Sequence, residues 1–342
     1  MPHTEKYSSA AEKIDEVSYD LLLKEEGQFW GESTLDAMAH GIPPWVDIRS
    51  TNGFSRPVPG AWDDHQMHYS LFGESLAFFL TEVKRYRSAH TLDLGCGAGW
   101  LSLELARAGL HVTGIDVSEG QINIARQYAA SVERTSTFGS LQYTVADLSR
   151  LALKPHSYDV ITAWGALHHI ADLDHLLRQV DRALKPEGVF LVYDDIDWDT
   201  RNHVWLGLAY LLIPGHEPIG QRLRKIYRRF VHGEKIILSA SERERLPRDT
   251  GADSPFEMVH GADILDLVGT YFHVTHLKTS VAMSLPMFLQ ISKGPDCWAR
   301  RHRYRILDVL KRLEDVLINL GIAKGSMALL KCVKKDVVSS SR

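Results

Sequence analysis

The sequence predicts an α/β fold with a doubly wound, mostly parallel sheet, and residues 91–118 carry most of that prediction. An apolar strand through Leu94 enters a glycine-rich turn at residues 95–99, and a leucine-rich helix follows and ends at Gly109. A second strand then ends at Asp116, about 20 residues after the turn, where a carboxylate can accept hydrogen bonds from ribose hydroxyls. This order is typical of one nucleoside-binding half of such a sheet.

The glycine turn differs from the dinucleotide-binding fingerprint. G-x-G-x-x-G needs its third glycine where Trp100 stands. The pattern from Asp93 is acid-x-Gly-x-Gly-x-Gly, and in this the chain resembles the class I S-adenosylmethionine-dependent methyltransferases. In that family the turn wraps the amino-acid end of the cofactor and the acid after the second strand holds its ribose. A plain βαβ unit with a tight turn is the alternative.

Three later segments follow in the order that this resemblance implies. Residues 141–148 resemble the third strand, whose acidic end, Asp147, faces the adenine amino group in the family. Residues 158–170 resemble the fourth strand and the loop beside the methionine moiety, and residues 184–193 the fifth strand with its preceding turn. Taken alone, Asp147 is more typical of a turn or cap residue, but its place at a strand end of a nucleoside-binding fold favours the binding role. The resemblance implies a cofactor site that contains Asp93, Gly95, Cys96, Gly97, Asp116, Val117, Asp147, Leu148 and Trp164.

The chain is longer than the core of this fold, and the surplus lies outside the first five strands. Residues 1–88 are predicted to form an N-terminal helical cap over the cofactor edge, and residues 89–336 the Rossmann-like domain, with a helical insertion at about 196–254. A polar tail, residues 337–342, follows. We expect seven strands with an antiparallel final pair, the last strand being residues 326–333. A second helical segment with one apolar face precedes that strand.

Composition limits the function classes. The 342 residues are 44% hydrophobic, which suits one enlarged domain, and the three cysteines have no metal-ligand spacing, so a reducing cytoplasm and no metal site are expected. The N-terminus lacks an apolar signal region, and the longest apolar run, residues 206–213, is too short to span a bilayer. No membrane partner is therefore predicted. The net charge of −4 argues against a polynucleotide partner.

Two basic clusters raise the question of a nucleic-acid acceptor despite the net charge: residues 222–229 and residues 300–305. In the first cluster Leu223, Ile226 and Tyr227 share one helical face, which predicts that the arginines lie on the solvated side of an amphipathic helix. An anionic small acceptor stays open, because arginine binds phosphate and carboxylate groups well.

Methyl transfer from a sulfonium is an in-line displacement, so the protein must position an acceptor and remove a proton if the acceptor is a hydroxyl. His168 and His169, in the loop after strand four, are the first candidates for the general base, because neutral imidazole is a base near pH 7. A packed pair that only shapes the loop is the alternative. Asp194, at the end of strand five, could orient or deprotonate an acceptor, or it could form a solvated pair with Asp195. Tyr69 of the cap could close over the sulfonium or be buried in the cap.

The resemblance thus predicts an S-adenosylmethionine-dependent enzyme that methylates a small-molecule or saccharide-like acceptor, at a hydroxyl oxygen. A looser likeness to bacterial methyltransferases of glycan and secondary-metabolite pathways points the same way. A nucleic-acid or protein methyltransferase would need a basic groove beside the sulfonium. A protein that binds the cofactor without transferring methyl would have no acceptor cavity. The sequence predicts neither the acceptor nor the oligomeric state.

Overall fold

The computed structural model describes residues 16–39, 65–86, 88–196, 200–213, 217–232, 254–256, 259–293 and 295–335. Its strands are β1 (His90–Leu94), β2 (His111–Asp116), β3 (Ser140–Val145), β4 (Tyr158–Trp164), β5 (Leu184–Asp195), β6 (Phe272–Ser280) and β7 (Met327–Lys334). Its α-helices are α1 (Glu16–Ala39), α2 (His65–Val83), α3 (Trp100–Arg107), α4 (Glu119–Ser131), α5 (Leu173–Ala183), α6 (Thr200–Leu212), α7 (Ile219–His232), α8 (Ile264–Tyr271), α9 (Ser284–Lys293), α10 (Trp298–Arg301) and α11 (Arg303–Asn319). A short 3₁₀ helix, Leu167–His169, follows β4.

The seven strands form one sheet in the order β3-β2-β1-β4-β5-β7-β6. The first five strands pair in parallel, and β7 pairs antiparallel with both β5 and β6. The sequence prediction of a doubly wound α/β sheet with an antiparallel final pair is confirmed. Because chain order reverses between β1 and β4, the carboxyl ends of these strands flank a crevice, which is where open sheets of this class bind ligands.

Apolar side chains are buried on both faces of the sheet. One face packs against α5 and α8, and the other against α2 and α3. Burial on both sides explains why the central strands are nearly continuous apolar runs. In β5, Phe190 and Val192 belong to the first face, whereas Leu191 and Tyr193 belong to the second. Asp194, next in the alternation, therefore projects on the side of α5.

A separate apolar cluster joins the helices that follow β5 to those that precede β7. It combines side chains of α6, α9 and α11. The predicted apolar face of the last long helix is narrower than expected, because Leu310 and Leu317 are buried while Leu313 is exposed. The prediction that the arginines of the first basic cluster are solvated is wrong for Arg222, which is buried, whereas Leu223 and Tyr227 are exposed. No described helix has the length and apolar content that crossing a membrane requires.

Candidate functional site

The glycine turn after β1 lies against the loop after β4. Gly95 and Gly97 have φ values of 63° and 53°, in the left-handed region that glycine adopts without steric cost. A Cβ atom at Gly95 would also overlap the Cβ of Ala166. The absence of a side chain therefore lets the backbone that would face a cofactor approach the loop that carries the two histidines.

Asp116 ties this turn to the end of β2. Its two carboxylate oxygens accept hydrogen bonds from the backbone N–H groups of Gly97 and Ser118, each at 2.8 Å. Burial raises the pKa of this carboxyl, and the two N–H donors act in the opposite direction by favouring the charged form. The predicted ribose ligand is thus held in a fixed orientation at the edge of the turn.

Asp93 lies beneath the turn. The hydroxyls of Ser102 and Thr162 donate to its carboxylate at 2.5 and 2.8 Å, and burial raises its pKa to about 6. It joins β1, α3 and β4, so the structure gives it a positioning role under the predicted cofactor site. The thiol of Cys96 packs with Ile122, and burial raises the pKa of that thiol well above its usual value.

Asp147, beyond β3, is bound by a residue that the sequence analysis missed. The hydroxyl of Tyr19, on α1, donates to the two carboxylate oxygens of Asp147 at 3.1 and 3.0 Å. The Arg150 guanidinium lies 4.3 Å from the centre of the Tyr19 ring. Burial raises the pKa of Tyr19 to about 12, so this phenol is a hydrogen-bond donor at neutral pH. Leu148, predicted beside Asp147, is buried in the core.

Helix α1 continues along the loop after β2. The Ser118 hydroxyl donates to the carbonyl of Gly27 at 2.6 Å, and a Cβ at Gly27 would lie 3.2 Å from the carbonyl oxygen of Val117. The side-chain amide of Gln121 donates to Thr34 at 2.9 Å. The helix therefore covers the loops that carry Asp116, Val117 and Asp147.

His168 and Asp194 form a buried pair at the carboxyl ends of β4 and β5. Nδ1 of His168 lies 2.6 Å from Oδ1 of Asp194. Oδ2 of Asp194 accepts the N–H groups of Ala166 and Leu167 at 2.9 and 2.8 Å, and Oδ1 also accepts that of Asp195 at 2.9 Å. A carboxylate in this position selects the tautomer with the proton on Nδ1, which makes Nε2 the basic nitrogen of His168.

His169 has a different environment. Its ring centre lies 4.0 Å from that of His168 and 5.1 Å from that of Trp30, and its Nδ1 is 3.3 Å from the Ser254 hydroxyl and 3.4 Å from Oε1 of Glu26. Burial, reinforced by the charge of His168, lowers the pKa of His169 to about 3. The ring is therefore neutral at pH 7, and its 3.4 Å approach to Glu26 is not an ion pair.

Aromatic side chains border the same loop on the other face of the sheet. The ring of Trp164, at the end of β4, lies 5.2 Å from Trp100, 5.2 Å from Phe79 and 4.5 Å from Tyr193. The side chain of Tyr69, the predicted cap contribution, lies outside the part of the chain that the structure describes.

The residues at this edge fit S-adenosylmethionine. Because the turn consists largely of glycine, its backbone would contact a cofactor directly, without intervening side chains. The carboxylates of Asp116 and Asp147 are hydrogen-bond acceptors suited to ribose hydroxyls and an adenine amino group. Trp164 offers an aromatic face, which favours a sulfonium cation nearby.

Comparison with known proteins agrees with this geometry. Residues 92–192 match the family model of the methyltransferase domain. The chain is 32% identical over 184 residues to a ubiquinone biosynthesis O-methyltransferase of Haemophilus ducreyi, a match covering 53% of this chain and 70% of the relative. It is 26% identical to the Coxiella burnetii protein of that name, over 55% of this chain and 69% of the relative. It is 30% identical to the sterol 4-C-methyltransferase strm-1 of Caenorhabditis elegans, over 43% of this chain and 44% of that relative.

Replacement of Asp116 should weaken cofactor binding. A hydrogen bond to a charged group contributes about 1.5–3 kcal/mol, so we expect Asp116→Ala to bind S-adenosylhomocysteine at least about tenfold more weakly in calorimetry. S-adenosylhomocysteine should raise the thermal midpoint of the wild type, whereas NAD should not.

Asp159→Ala is the matched control for Asp116→Ala. Asp159 also accepts a backbone N–H, that of His90 at 3.0 Å, but at the opposite edge of the sheet. The Asp159→Ala variant should be less stable than the wild type and should keep its affinity for S-adenosylhomocysteine. Unchanged affinity in folded Asp116→Ala would contradict the assignment.

His169 should make the protein sensitive to acid. Because its pKa falls from 6.5 to about 3 on folding, the unfolded chain binds more protons between these values, and stability is lost as the pH falls through this window. This one group changes the free energy of unfolding by at most about 1.4 kcal/mol per pH unit. His169→Gln removes this term, so the difference in unfolding free energy between wild type and variant should shrink as the pH falls. Urea titrations at several pH values measure it, and a constant difference would refute the assignment.

Proposed function

The chain belongs to the class I S-adenosylmethionine-dependent methyltransferases, and we propose that it methylates a hydroxyl oxygen of a small-molecule or saccharide-like acceptor with His168 as the general base. The observation that carries the proposal is the 2.6 Å contact between Nδ1 of His168 and the buried carboxylate of Asp194. S-adenosylmethionine, when bound, supplies a methyl group on a sulfonium that the lone pair of an acceptor displaces.

The buried pair is suited to an acceptor that must lose a proton. A hydroxyl becomes a strong nucleophile as its proton leaves, and Nε2 of His168 is the nitrogen that can take it. The carboxylate of Asp194 then stabilises the imidazolium through a charge-assisted hydrogen bond. An amine acceptor with a free lone pair needs no such base, so the pair favours oxygen. The bacterial relatives named for O-methylation support the same choice.

His169 is the weaker candidate for the base. A group with a pKa of about 3 has little driving force to take a proton from a hydroxyl. We assign it a positioning role, because its ring packs on His168 and on Trp30 of the covering helix α1. The two histidines therefore have separate tasks in this proposal.

The aromatic residues around Trp164 support an acceptor with a flat or apolar face. Trp164 is half-buried and adjoins Gly165, where the loop toward His168 begins. A planar ring, or the apolar face of a sugar, can pack on such a surface, since aromatic side chains bury large area in a fixed orientation. In this proposal Trp164 orients the acceptor and His168 receives its proton.

Replacement of His168 should remove most of the chemical step. We expect His168→Ala to lose about 10²-fold or more in single-turnover rate, the usual contribution of a general base, with unchanged affinity for S-adenosylhomocysteine. Asp194→Asn should also slow turnover, because an amide no longer stabilises the imidazolium. The acceptor can be found by incubating cell extract with methyl-labelled cofactor and enzyme, then searching for labelled metabolites.

His169→Gln is the matched control, and it should keep a rate closer to that of the wild type. The rate of the wild type should rise with pH as one group loses its proton, and His168→Ala should lose this dependence. If His168→Ala keeps both the rate and the pH profile of the wild type, His168 is not the base.

A further inference from the structure

Helix α7 turns an apolar stripe toward solvent. Ile219, Leu223 and Tyr227, spaced four residues apart, are 52% to 67% exposed. The buried contacts are made by Ile226, which packs against the apolar cluster, and by Arg222, whose guanidinium donates to the carbonyls of Tyr210 at 3.1 Å and Ile213 at 2.6 Å. A helix of a globular protein normally buries its apolar stripe and exposes its arginines. Here the helix is anchored through an arginine, and its apolar stripe remains on the surface.

Helix α6 repeats this arrangement. Val204, Leu208 and Leu212, again spaced four residues apart, are between 43% and 79% exposed. The opposite side of the helix is packed, since Leu206 and Ala209 belong to the apolar cluster shared with α9 and α11. The exposed stripe is therefore separate from the face of α6 that packs against the rest of the protein.

Helices α6 and α7 form one hairpin, and each of them carries one of the two stripes. A Cβ at Gly207 would lie 3.7 Å from the Ile226 side chain, while Arg222 meets the carbonyls of Tyr210 and Ile213. Residues later in α6 therefore contact residues earlier in α7, which makes the two helices antiparallel. With 3.6 residues per turn, the stripe of α6 points away from the apolar cluster, whereas the stripe of α7 lies on the flank of Ile226, which packs against that cluster.

The charge of α7 is opposite to that of the whole chain. Residues 219–232 contain five lysines and arginines and no acidic residue, whereas the chain has a formal net charge of −4. Arg224 and Arg228 are exposed beside the apolar stripe. An exposed apolar stripe with arginines along its border is the pattern of helices that lie in a membrane interface.

We propose that the α6–α7 hairpin docks on the surface of an anionic lipid bilayer. The two apolar stripes would enter the interface, and Arg224 and Arg228 would contact lipid phosphates. No membrane partner is predicted from the sequence, because no segment is long enough to span a bilayer, but an interfacial helix does not span the bilayer. A second copy of this chain fits less well, since two cationic α7 helices would repel each other. The inference does not depend on the acceptor or on the catalytic base.

Flotation with vesicles tests the proposal without acceptor or cofactor. The full chain should bind vesicles of equal parts phosphatidylcholine and phosphatidylglycerol, should bind pure phosphatidylcholine vesicles far less, and should be released by high salt. Each basic residue near an anionic surface contributes about 1 kcal/mol, or about fivefold in partitioning, so Arg224→Gln with Arg228→Gln should weaken binding about 25-fold. Leu223→Ser should also weaken it.

Two variants control for nonspecific effects. Leu277, on the edge strand β6, is 53% exposed against 52% for Leu223, and the side chain of Arg85 is 68% exposed. Leu277→Ser and Arg85→Gln should bind vesicles like the wild type. Thermal melts confirm that each variant is folded.

Three results would overturn the proposal. The first is no vesicle binding by the wild type, and the second is equal loss in the control variants. The third is a dimer in light scattering that Leu223→Ser dissociates while vesicles stay unbound, which would assign the surface to self-association. Methyl transfer is measured separately, so failure of this proposal leaves the proposed reaction untouched.

Discussion

The buried carboxylate of Asp194 organises the chemically important edge of the sheet. It accepts three backbone N–H groups, two of them from the loop after β4, and it contacts Nδ1 of His168. Burial of a carboxylate is costly unless its lone pairs are used, and these donors use the lone pairs of Asp194, which is fully buried. The same bonds fix the course of the loop beside Gly95. The position of His168 relative to the glycine turn therefore depends on the hydrogen bonds of one buried carboxylate.

Helix α1 brings the cofactor loops and the histidine loop under one element. Tyr19 bonds to Asp147, the loop of Ser118 bonds to Gly27, and Glu26 accepts the backbone N–H of Phe256 at 3.1 Å and lies near His169. These partners are distant in sequence, and this helix contacts all of them. Each of these contacts fixes the position of the helix for the others, so α1 links the two halves of the predicted site.

The sequence predicted the parts of the fold that depend on local chemistry. Glycines in a turn and an acid at a strand end have direct structural consequences, and the turn from Asp93 and the place of Asp116 agree with expectation. Tyr19 could not be found this way, since its partner lies 128 residues away and no spacing connects them. The burial of Arg222 was missed for a related reason. Helical periodicity shows that two faces differ, but only tertiary contacts decide which face is covered.

The adjacent histidines show why residue type alone does not assign a role. His168 is buried, His169 is partly buried and their ring centres are 4.0 Å apart, yet only His168 contacts a carboxylate at short distance. A proton taken by His168 is balanced by Asp194, whereas a proton on His169 would face that cation in a poorly solvated site. Burial, with added repulsion from His168, lowers the pKa of His169 to about 3 and keeps this ring neutral. In the proposed reaction the accepted proton therefore stays on His168. The ring of His169 holds the ring of His168 in place by packing.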